Sequence, residues 1–309
     1  MIVAALDLGT NSFLQTIAEM KDGKILKILS DELRIVRLGQ DVDRTRRLHP
    51  EALQRAKHAL QEFEKIRHNY AIQKVQAVAT SAARDVENQN ELFEICSGHG
   101  VQLSIIDGPT EARMTYRGAF AEFPSSRNPE DLWLVVDVGG GSTELILGQG
   151  HHVHQAYSLN IGAVRATERW VSNSSQAFNP ETWDQLVIQI QKQVQHDLPT
   201  QYKNQKIHAV CAVAGTPTTL AQMELGEYNP KKMNGYLFSK ETLVSWAKKL
   251  ASVSIQERIH LYHVPEKRAD ILIAGTLILA TILQELQQND LFVSTGGVRY
   301  GLAAEISME

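Results

Sequence analysis

The chain has 309 residues, about two domains of ordinary size, with 43% hydrophobic residues, 21% charged residues and a formal net charge of −4. This balance is typical of a soluble globular protein and excludes a collagen, a disordered tail and a membrane protein. Residues 1–127 carry 17 basic and 17 acidic side chains and residues 128–309 carry 14 and 18, so neither half has the basic surface of a non-specific nucleic-acid binder.

The first half of the chain predicts three strands followed by alternating helices and strands. Its predicted strands cover residues 3–8, 12–20, 24–36, 75–80 and 101–106. Its predicted helices begin at Pro50, because proline suits the first helical position, and near Asn90. The first strand is a continuous apolar run, which is typical of a central strand that is covered on both faces.

The second half repeats this order of elements. Its predicted strands cover residues 132–136, 144–148, 153–159, 207–214 and 291–294. Helices are predicted from Pro180 and from Ser254, where Glu257 completes the spacing of a capping box, and the apolar segment 271–283 predicts a buried helix. The repetition predicts two similar α/β domains that face each other across a cleft.

We expect the first domain to cover residues 1–127 and the second to cover residues 128–299. The turn-rich segment 124–129 is the expected join between them. A C-terminal helix at 300–309 is expected to pack back on the first domain.

Each half contains one turn that suits phosphate binding. Asp7 precedes the turn residues Gly9, Thr10, Asn11 and Ser12, and Asp137 precedes Gly139, Gly140, Gly141, Ser142 and Thr143. Glycines let backbone N–H groups approach phosphate oxygens, while hydroxyl and amide side chains add donors. The two aspartates are hard oxygen ligands of the kind that Mg²⁺ takes together with phosphate oxygens and water. Turn-capping aspartates are common, but the repetition favours metal and phosphate binding.

Several motifs resemble those of the Ppx/GppA phosphatases, which comprise exopolyphosphatases and guanosine pentaphosphate phosphohydrolases. They are DLGTNSF (7–13), TSAAR (80–84), GPTEAR (108–113), DVGGGSTEL (137–145), NIGAVR (160–165), AGTPTTL (214–220), KRADILIAG (267–275) and STGGVRYG (294–301). The resemblance covers essentially the whole chain and is to the short, two-domain form of the family. It implies duplicated domains of the actin-like, sugar-kinase-like (ribonuclease H-like) fold.

The resemblance also implies roles for individual residues. Glu111 matches the glutamate that orients or activates the attacking water, and Asp137 matches the aspartate that holds Mg²⁺. Glu144 matches an acid that is assigned either to water activation or to the metal, so which glutamate activates water stays open. Thr110 precedes Glu111 where many members have a second acid, which could alter a supporting role. The first phosphate loop and a basic residue that reaches the polyanion are matched by Asp7, Asn11, Ser12 and Arg84.

The expected activity is the release of terminal orthophosphate from inorganic polyphosphate by direct attack of water, with Mg²⁺ as cofactor and Mn²⁺ as a substitute. Three alternatives stay open: hydrolysis of guanosine pentaphosphate, an ATP-dependent small-molecule kinase, and a nucleotide-binding module without turnover. GPTEAR argues against the kinase. The expected partner is the polyphosphate or guanosine polyphosphate substrate, with no nucleic acid and no membrane, and a homodimer could extend the binding surface.

Three further groups of residues have a simpler interpretation. Cys96 and Cys211 are expected to be buried thiols of a cytoplasmic protein, since no secretory signal and no apolar run of ~20 residues is present. The histidines at 151, 152 and 154 are expected at an exposed hairpin tip. The basic cluster of Arg34, Arg37, Arg44, Arg46 and Arg47 predicts a solvated loop, or a surface that gathers polyphosphate.

Overall fold

The structure, a computed structural model, describes residues 1–84, 86–123 and 128–308. The chain divides into two compact units: Met1–Ala121 together with the C-terminal segment from Gly296, and Glu122–Thr295. Residues 124–127 of the predicted join lie outside the described residues. None of the helices that the described residues form is both long enough and apolar enough to cross a membrane.

The first unit is built on a five-stranded sheet. Its strands are β1 (Ile2–Leu8), β2 (Ser12–Lys21), β3 (Lys24–Ile35), β4 (Lys74–Ala79) and β5 (Gln102–Ile105). In space they follow the order β3-β2-β1-β4-β5, with the first three antiparallel and β4 and β5 parallel to β1. The helices are α1 (Val42–Thr45), α2 (Pro50–Arg67), α3 (Ser81–Arg84), α4 (Gln89–Gly98) and α5 (Gly108–Ala119).

The central strand and the long helix of this unit form where the sequence predicts them. Residues Val3 to Leu6 of β1 are fully buried, as expected for a strand that is covered on both faces. Pro50 occupies the first turn of α2, and the side chain of His49 caps that turn by accepting from the Glu51 amide. The helix turns Leu53, Leu60 and their neighbours into the core, as its apolar spacing requires.

The second unit is built on a six-stranded sheet. Its strands are β6 (Leu132–Val138), β7 (Thr143–Gln149), β8 (His152–Leu159), β9 (Ala209–Val213), β10 (Leu237–Ser239) and β11 (Asp290–Val293). Its helices are α6 (Ala163–Trp170), α7 (Pro180–Asp197), α8 (Thr200–Lys203), α9 (Gly215–Leu225), α10 (Pro230–Met233), α11 (Lys240–Ala251), α12 (Ile255–Tyr262) and α13 (Leu272–Glu285), with a 3₁₀ turn at Glu266–Arg268.

The second sheet repeats the first, because its order β10-β11-β9-β6-β7-β8 places three antiparallel strands beside two parallel ones. The predicted duplication is therefore confirmed, as are the capping box at Ser254 and Glu257 and the buried helix α13. Two details differ. Asp137 belongs to strand β6 and not to the turn, and the short edge strand β10 has too few residues to show a period in the sequence.

A last helix, α14 (Val298–Ile306), completes the first unit by packing on α5 and β1. The two helices approach so closely that a Cβ atom at Gly118 would overlap the carbonyl of Gly297. A Cβ atom at Gly301 would likewise overlap the carbonyl of Met114. Helix backbones come this near only where the contact residues have no side chain.

Candidate functional site

The first predicted phosphate turn connects β1 to β2. Its Gly9 amide donates to the carbonyl of Ser12 at 3.0 Å, and the carbonyl of Asn11 accepts from the amides of Val36 and Arg37 at 2.9 and 2.8 Å. Residues 9–12 are all half-buried. The segment after β3 therefore holds the turn in one conformation, which a preorganised binding loop requires.

The second predicted turn has the same internal geometry. Its Gly139 amide donates to the carbonyl of Ser142 at 3.0 Å, the counterpart of the bond in the first turn. The start of α6 holds this turn from the other side, because the carbonyl of Gly140 accepts from the amide of Arg165 at 3.0 Å. A Cβ atom at Gly162 would meet the backbone of Gly140, so the close approach depends on glycine.

Thr143 corrects one prediction. Its side chain is fully buried and its hydroxyl donates to the carbonyl of Ile161 at 2.7 Å. The hydroxyl is therefore occupied inside the core and does not face the turn as a phosphate donor. This hydrogen bond connects the start of β7 to the segment before α6 and so stabilises the turn.

Asp137 and Glu144 form a carboxylate pair in the second unit. They lie directly opposite each other in the antiparallel register of β6 and β7, so both side chains project from the same face of the sheet. Both residues are half-buried. Glu144 accepts hydrogen bonds from the hydroxyls of Ser142 at 2.8 Å and Ser158 at 2.9 Å, which fixes its orientation.

This pair fits a magnesium ion. Two carboxylates at directly opposed positions repel each other, and a divalent cation relieves that repulsion. Across residues 1–84, 86–123 and 128–308, no three His, Cys, Asp or Glu side chains gather into a group that could hold a metal alone. Asp137 and Glu144 would supply two oxygen ligands of such an ion, and phosphate oxygens and water would complete an octahedral shell.

Glu111 lies in the first turn of α5, where Asp107 caps the helix by accepting from the amide of Thr110 at 2.8 Å. Its Oε2 accepts from Nη1 of Arg84 at 2.8 Å, and the same Nη1 also donates to the carbonyl of Ile106 at 2.9 Å. The predicted catalytic glutamate and the predicted polyanion-binding arginine thus lie in one ion pair.

Burial raises the pKa of Glu111, while the hydrogen bond and charge of Arg84 and the hydroxyl of Thr80 act against that rise. A raised pKa makes the carboxylate a stronger base than an exposed glutamate. The resemblance leaves open whether Glu111 orients the attacking water or activates it, and the raised pKa of Glu111 favours activation by proton abstraction.

Asp7 lies near the end of β1, between Leu14 of β2 and Val78 of β4 in the strand register. Burial raises its pKa to about 7, the carboxylate of Glu111 adds to the rise, and the guanidinium of Arg299 opposes it. The two predicted metal ligands Asp7 and Asp137 therefore have different neighbours. Asp137 has a second carboxylate opposite it in the strand register, whereas Asp7 has apolar residues at both paired positions.

The substitution Asp7→Asn is expected to change how stability depends on pH in metal-free buffer. The pKa of Asp7 is raised from 3.8 to about 7, so the folded chain holds this proton more tightly than the unfolded chain. The stabilisation that this provides is present in full below pH 3.8 and is lost as the pH rises to about 7. Asparagine removes that loss, so the free energy of unfolding of the variant, relative to wild type, should rise by about 3.5 kcal/mol between pH 4 and pH 7.5.

Urea unfolding in EDTA at the two pH values measures this difference. The exposed turn residue Asp22 provides the control, since Asp22→Asn removes one exposed carboxylate of the same unit. Parallel pH dependences for Asp7→Asn and wild type would contradict the raised pKa of Asp7.

The structure also places the other three groups of residues that the sequence singled out. Three arginines of the basic cluster form ion pairs: Arg34 with Glu32 and Glu62, Arg44 with Asp41, and Arg47 with Glu87 and Glu91. The histidines 151, 152 and 154 are exposed. Both cysteines are buried, and burial raises the pKa of the Cys96 thiol to about 12, so it is unreactive at neutral pH.

Sequence reasoning left two arginines of the second unit without a role. The guanidinium of Arg165 lies beside Gly141 of the phosphate turn, and the guanidinium of Arg268 lies over Gly215 at the start of α9. Both residues belong to motifs that were recognised, NIGAVR and KRADILIAG. In each case an arginine of one motif lies beside a glycine of another motif. The sequence does not show which motifs are neighbours in space, so it gives no signal for these contacts.

Comparison with known proteins gives consistent matches along nearly the whole chain. A profile of the Ppx/GppA phosphatase family matches residues 16–308. The chain is 32% identical over 321 residues to exopolyphosphatase 2 of Mycobacterium tuberculosis, covering 99% of this chain and 98% of that protein.

Two solved structures show the same fold. The Ppx/GppA family member of Aquifex aeolicus is 29% identical, with a TM-score of 0.80 and with 99% of this chain and 97% of that chain covered. An exopolyphosphatase of Cytophaga hutchinsonii is 24% identical, with a TM-score of 0.85 over 99% of this chain and 98% of that chain. The predicted fold class, an α/β protein with duplicated actin-like domains, is confirmed.

Proposed function

Because the chain belongs to the Ppx/GppA phosphatase family, we propose that it is a Mg²⁺-dependent exopolyphosphatase that releases terminal orthophosphate from inorganic polyphosphate by attack of water. The observation that carries the proposal is the half-buried Glu111 in its ion pair with Arg84. The two glycine turns support it, since each has the same bond from its first amide, Gly9 or Gly139, to a serine carbonyl.

The two turns are proposed to hold phosphate groups. The remaining backbone N–H groups of the turns and the side chains of Asn11 and Ser12 are donors without a negative charge, so they attract phosphate oxygens. Ser142 is not among these donors, because its hydroxyl donates to Glu144 at 2.8 Å. Since the chain has a formal net charge of −4, its overall field does not attract a polyanion. Local donors and a few arginines must therefore provide the attraction.

Glu111 is proposed to be the base. Its raised pKa lets it accept a proton from water, and Arg84 holds the carboxylate in place through the 2.8 Å contact to Oε2. Water then attacks the terminal phosphorus, the anhydride bond to the next phosphate breaks, and the shortened chain leaves with the bond electrons. The proposal assigns no covalent step to Cys96 or Cys211, because both thiols are buried.

Asp137 and Glu144 are proposed to hold Mg²⁺. When bound there, the ion would neutralise charge on the phosphate oxygens. The hydroxyls of Ser142 and Ser158 keep the Glu144 carboxylate in the orientation that such binding needs.

A substrate and metal panel tests the proposal. Purified protein is incubated with tripolyphosphate, long-chain polyphosphate or guanosine pentaphosphate, each with Mg²⁺, with Mn²⁺ or with EDTA, and released orthophosphate is measured. We expect release from polyphosphate with Mg²⁺ and none with EDTA. Release of orthophosphate from guanosine pentaphosphate alone would show that the nucleotide, and not polyphosphate, is the substrate. No release from any of the three substrates would contradict the proposal.

A further inference from the structure

Helix α3 sets the position of Arg84 and, through Arg84, that of the Glu111 carboxylate. The helix has four residues and ends at Arg84. A helix of one turn gains little stability from its own hydrogen bonds, so contacts from neighbouring elements must hold it in place. Nη1 of Arg84 donates both to the carbonyl of Ile106 and to Oε2 of Glu111, and a shift of α3 would move this donor away from its acceptors.

The side chain of Gln89 holds the end of α3. Its Nε2 donates to the carbonyl of Ala83 at 2.8 Å and to the carbonyl of Arg84 at 3.1 Å. The last carbonyls of a helix have no amide partner within the helix, so a side-chain amide that reaches two of them satisfies and orients that end. At the start of α3, the carbonyl of Thr80 accepts from the amides of Ala83 and Arg84 at 3.0 and 3.2 Å. The single turn is therefore held from both sides.

Gln89 is itself fixed to the body of the first unit. It is the first residue of α4, which buries Leu92 in the core. The preceding residue, Asn88, is buried, and its side chain accepts from the amide of Leu48 at 2.8 Å and donates to the Leu48 carbonyl at 3.2 Å. The hydrogen bonds of Gln89 thus connect an anchored helix to the short turn that carries Arg84. Support of this kind keeps a functional side chain in one geometry.

The chemistry of Gln89 restricts it to a geometric role. An amide side chain does not titrate and has no net charge, so Gln89 neither takes a proton nor attracts phosphate by charge. A general base must lie within hydrogen-bond reach of the water whose proton it takes, and a misplacement of about 1 Å can cost about 100-fold in rate. Because Gln89 holds the main chain of Arg84, loss of its two hydrogen bonds loosens the contact between Arg84 and Glu111.

We propose that Gln89 is a positioning residue for the attack of water, because it fixes α3 and thereby the contact of Arg84 with Glu111. This role rests on the proposed function for the identity of Glu111 as the base, and on the hydrogen bonds of Gln89 for the link to α3. It gives Gln89 no contact with substrate and no step in proton transfer.

Polyphosphate turnover by Gln89→Met tests this role. Methionine has nearly the length and shape of glutamine but cannot donate to the two carbonyls, so kcat should fall by about 10-fold. Gln54→Met, which replaces an exposed glutamine on α2 of the same unit, is the matched control and should keep wild-type kcat. Thermal unfolding checks that each variant is folded, and Gln89→Ala replaces Gln89→Met if the methionine variant does not fold.

The pH profile of kcat separates positioning from a purely structural role. The hydrogen bond and charge of Arg84 oppose the rise in the pKa of Glu111, as does the Thr80 hydroxyl, and the carboxylate of Asp7 is the other charge that interacts with Glu111. In Gln89→Met the loosened Arg84 opposes the rise less, so the acid limb of the profile should move to higher pH. A smaller fraction of folded protein would lower kcat without moving the limb.

The double variant Arg84→Met/Gln89→Met gives the second test. If Gln89 acts through Arg84, its substitution in the Arg84→Met background should change kcat by less than about 2-fold. Equal losses in both backgrounds would overturn the positioning role, as would wild-type kcat with an unmoved acid limb in folded Gln89→Met. Both outcomes leave the proposed function intact, since wild type still hydrolyses polyphosphate. Wild type that releases no orthophosphate would refute the proposed function, and the positioning role with it.

Discussion

Glu111→Gln is expected to lower kcat for polyphosphate by about 10²- to 10⁴-fold, the usual contribution of a general base. Glutamine has nearly the same shape and can still accept from Arg84, but its amide cannot take a proton from water. KM should change little, because Glu111 is proposed to act on the attacking water and the phosphate turns are intact. Initial rates of orthophosphate release across a range of polyphosphate concentrations give both constants.

Two companion variants make this result specific. Glu94→Gln on α4 removes an exposed carboxylate of the same unit and should retain wild-type kcat. Glu144→Gln should instead weaken activation by Mg²⁺, since Glu144 is proposed to hold the ion. If Glu111→Gln keeps full activity while Glu144→Gln loses kcat at saturating Mg²⁺, the base is Glu144 and the assignment to Glu111 is wrong.

Gly118→Ala is expected to reduce the free energy of unfolding by about 3 kcal/mol, a large effect for the addition of one methyl group. The new Cβ atom would overlap the carbonyl of Gly297, and a backbone atom cannot rotate away as a side chain can. The helices α5 and α14 must separate to relieve the overlap, and α5 also carries Glu111. Urea unfolding followed by circular dichroism measures the loss.

Gly98→Ala is the matched control for this substitution. Gly98 also lies in a helix, the last turn of α4, but a Cβ atom there would meet nothing within 4 Å. Alanine favours helix over glycine by about 0.5–1 kcal/mol, so this variant should be as stable as wild type or slightly more stable. Equal stability of Gly118→Ala and wild type would show that the two helix backbones do not meet as described.

The duplicated fold was predictable because the same simple sequence patterns occur in both halves of the chain. Continuous apolar runs before Asp7 and Asp137 marked the central strands, and proline at the first helical position marked Pro50 and Pro180. These signals are local, since each depends on residues within one turn or one strand. The short edge strand β10 was missed because three residues show no period.

The candidate site was predictable in its residues but not in their partners. Sequence placed Thr143 among the phosphate donors, yet the hydroxyl donates to Ile161, which is 18 residues further along the chain. The pairing of Arg84 with Glu111 joins residues that are 27 positions apart, and the raised pKa of Glu111 depends on burial. Such contacts arise from the packing of separate elements, so no local sequence pattern predicts them.

Hydrolysis of tripolyphosphate in ¹⁸O-labelled water with Mg²⁺ tests the central claim most directly. Attack of water on the terminal phosphorus places the label in the released orthophosphate, and the pyrophosphate product carries none. The account predicts this distribution for wild type and no labelled product above background for Glu111→Gln. Absence of turnover in wild type, or ¹⁸O in the pyrophosphate, would contradict it.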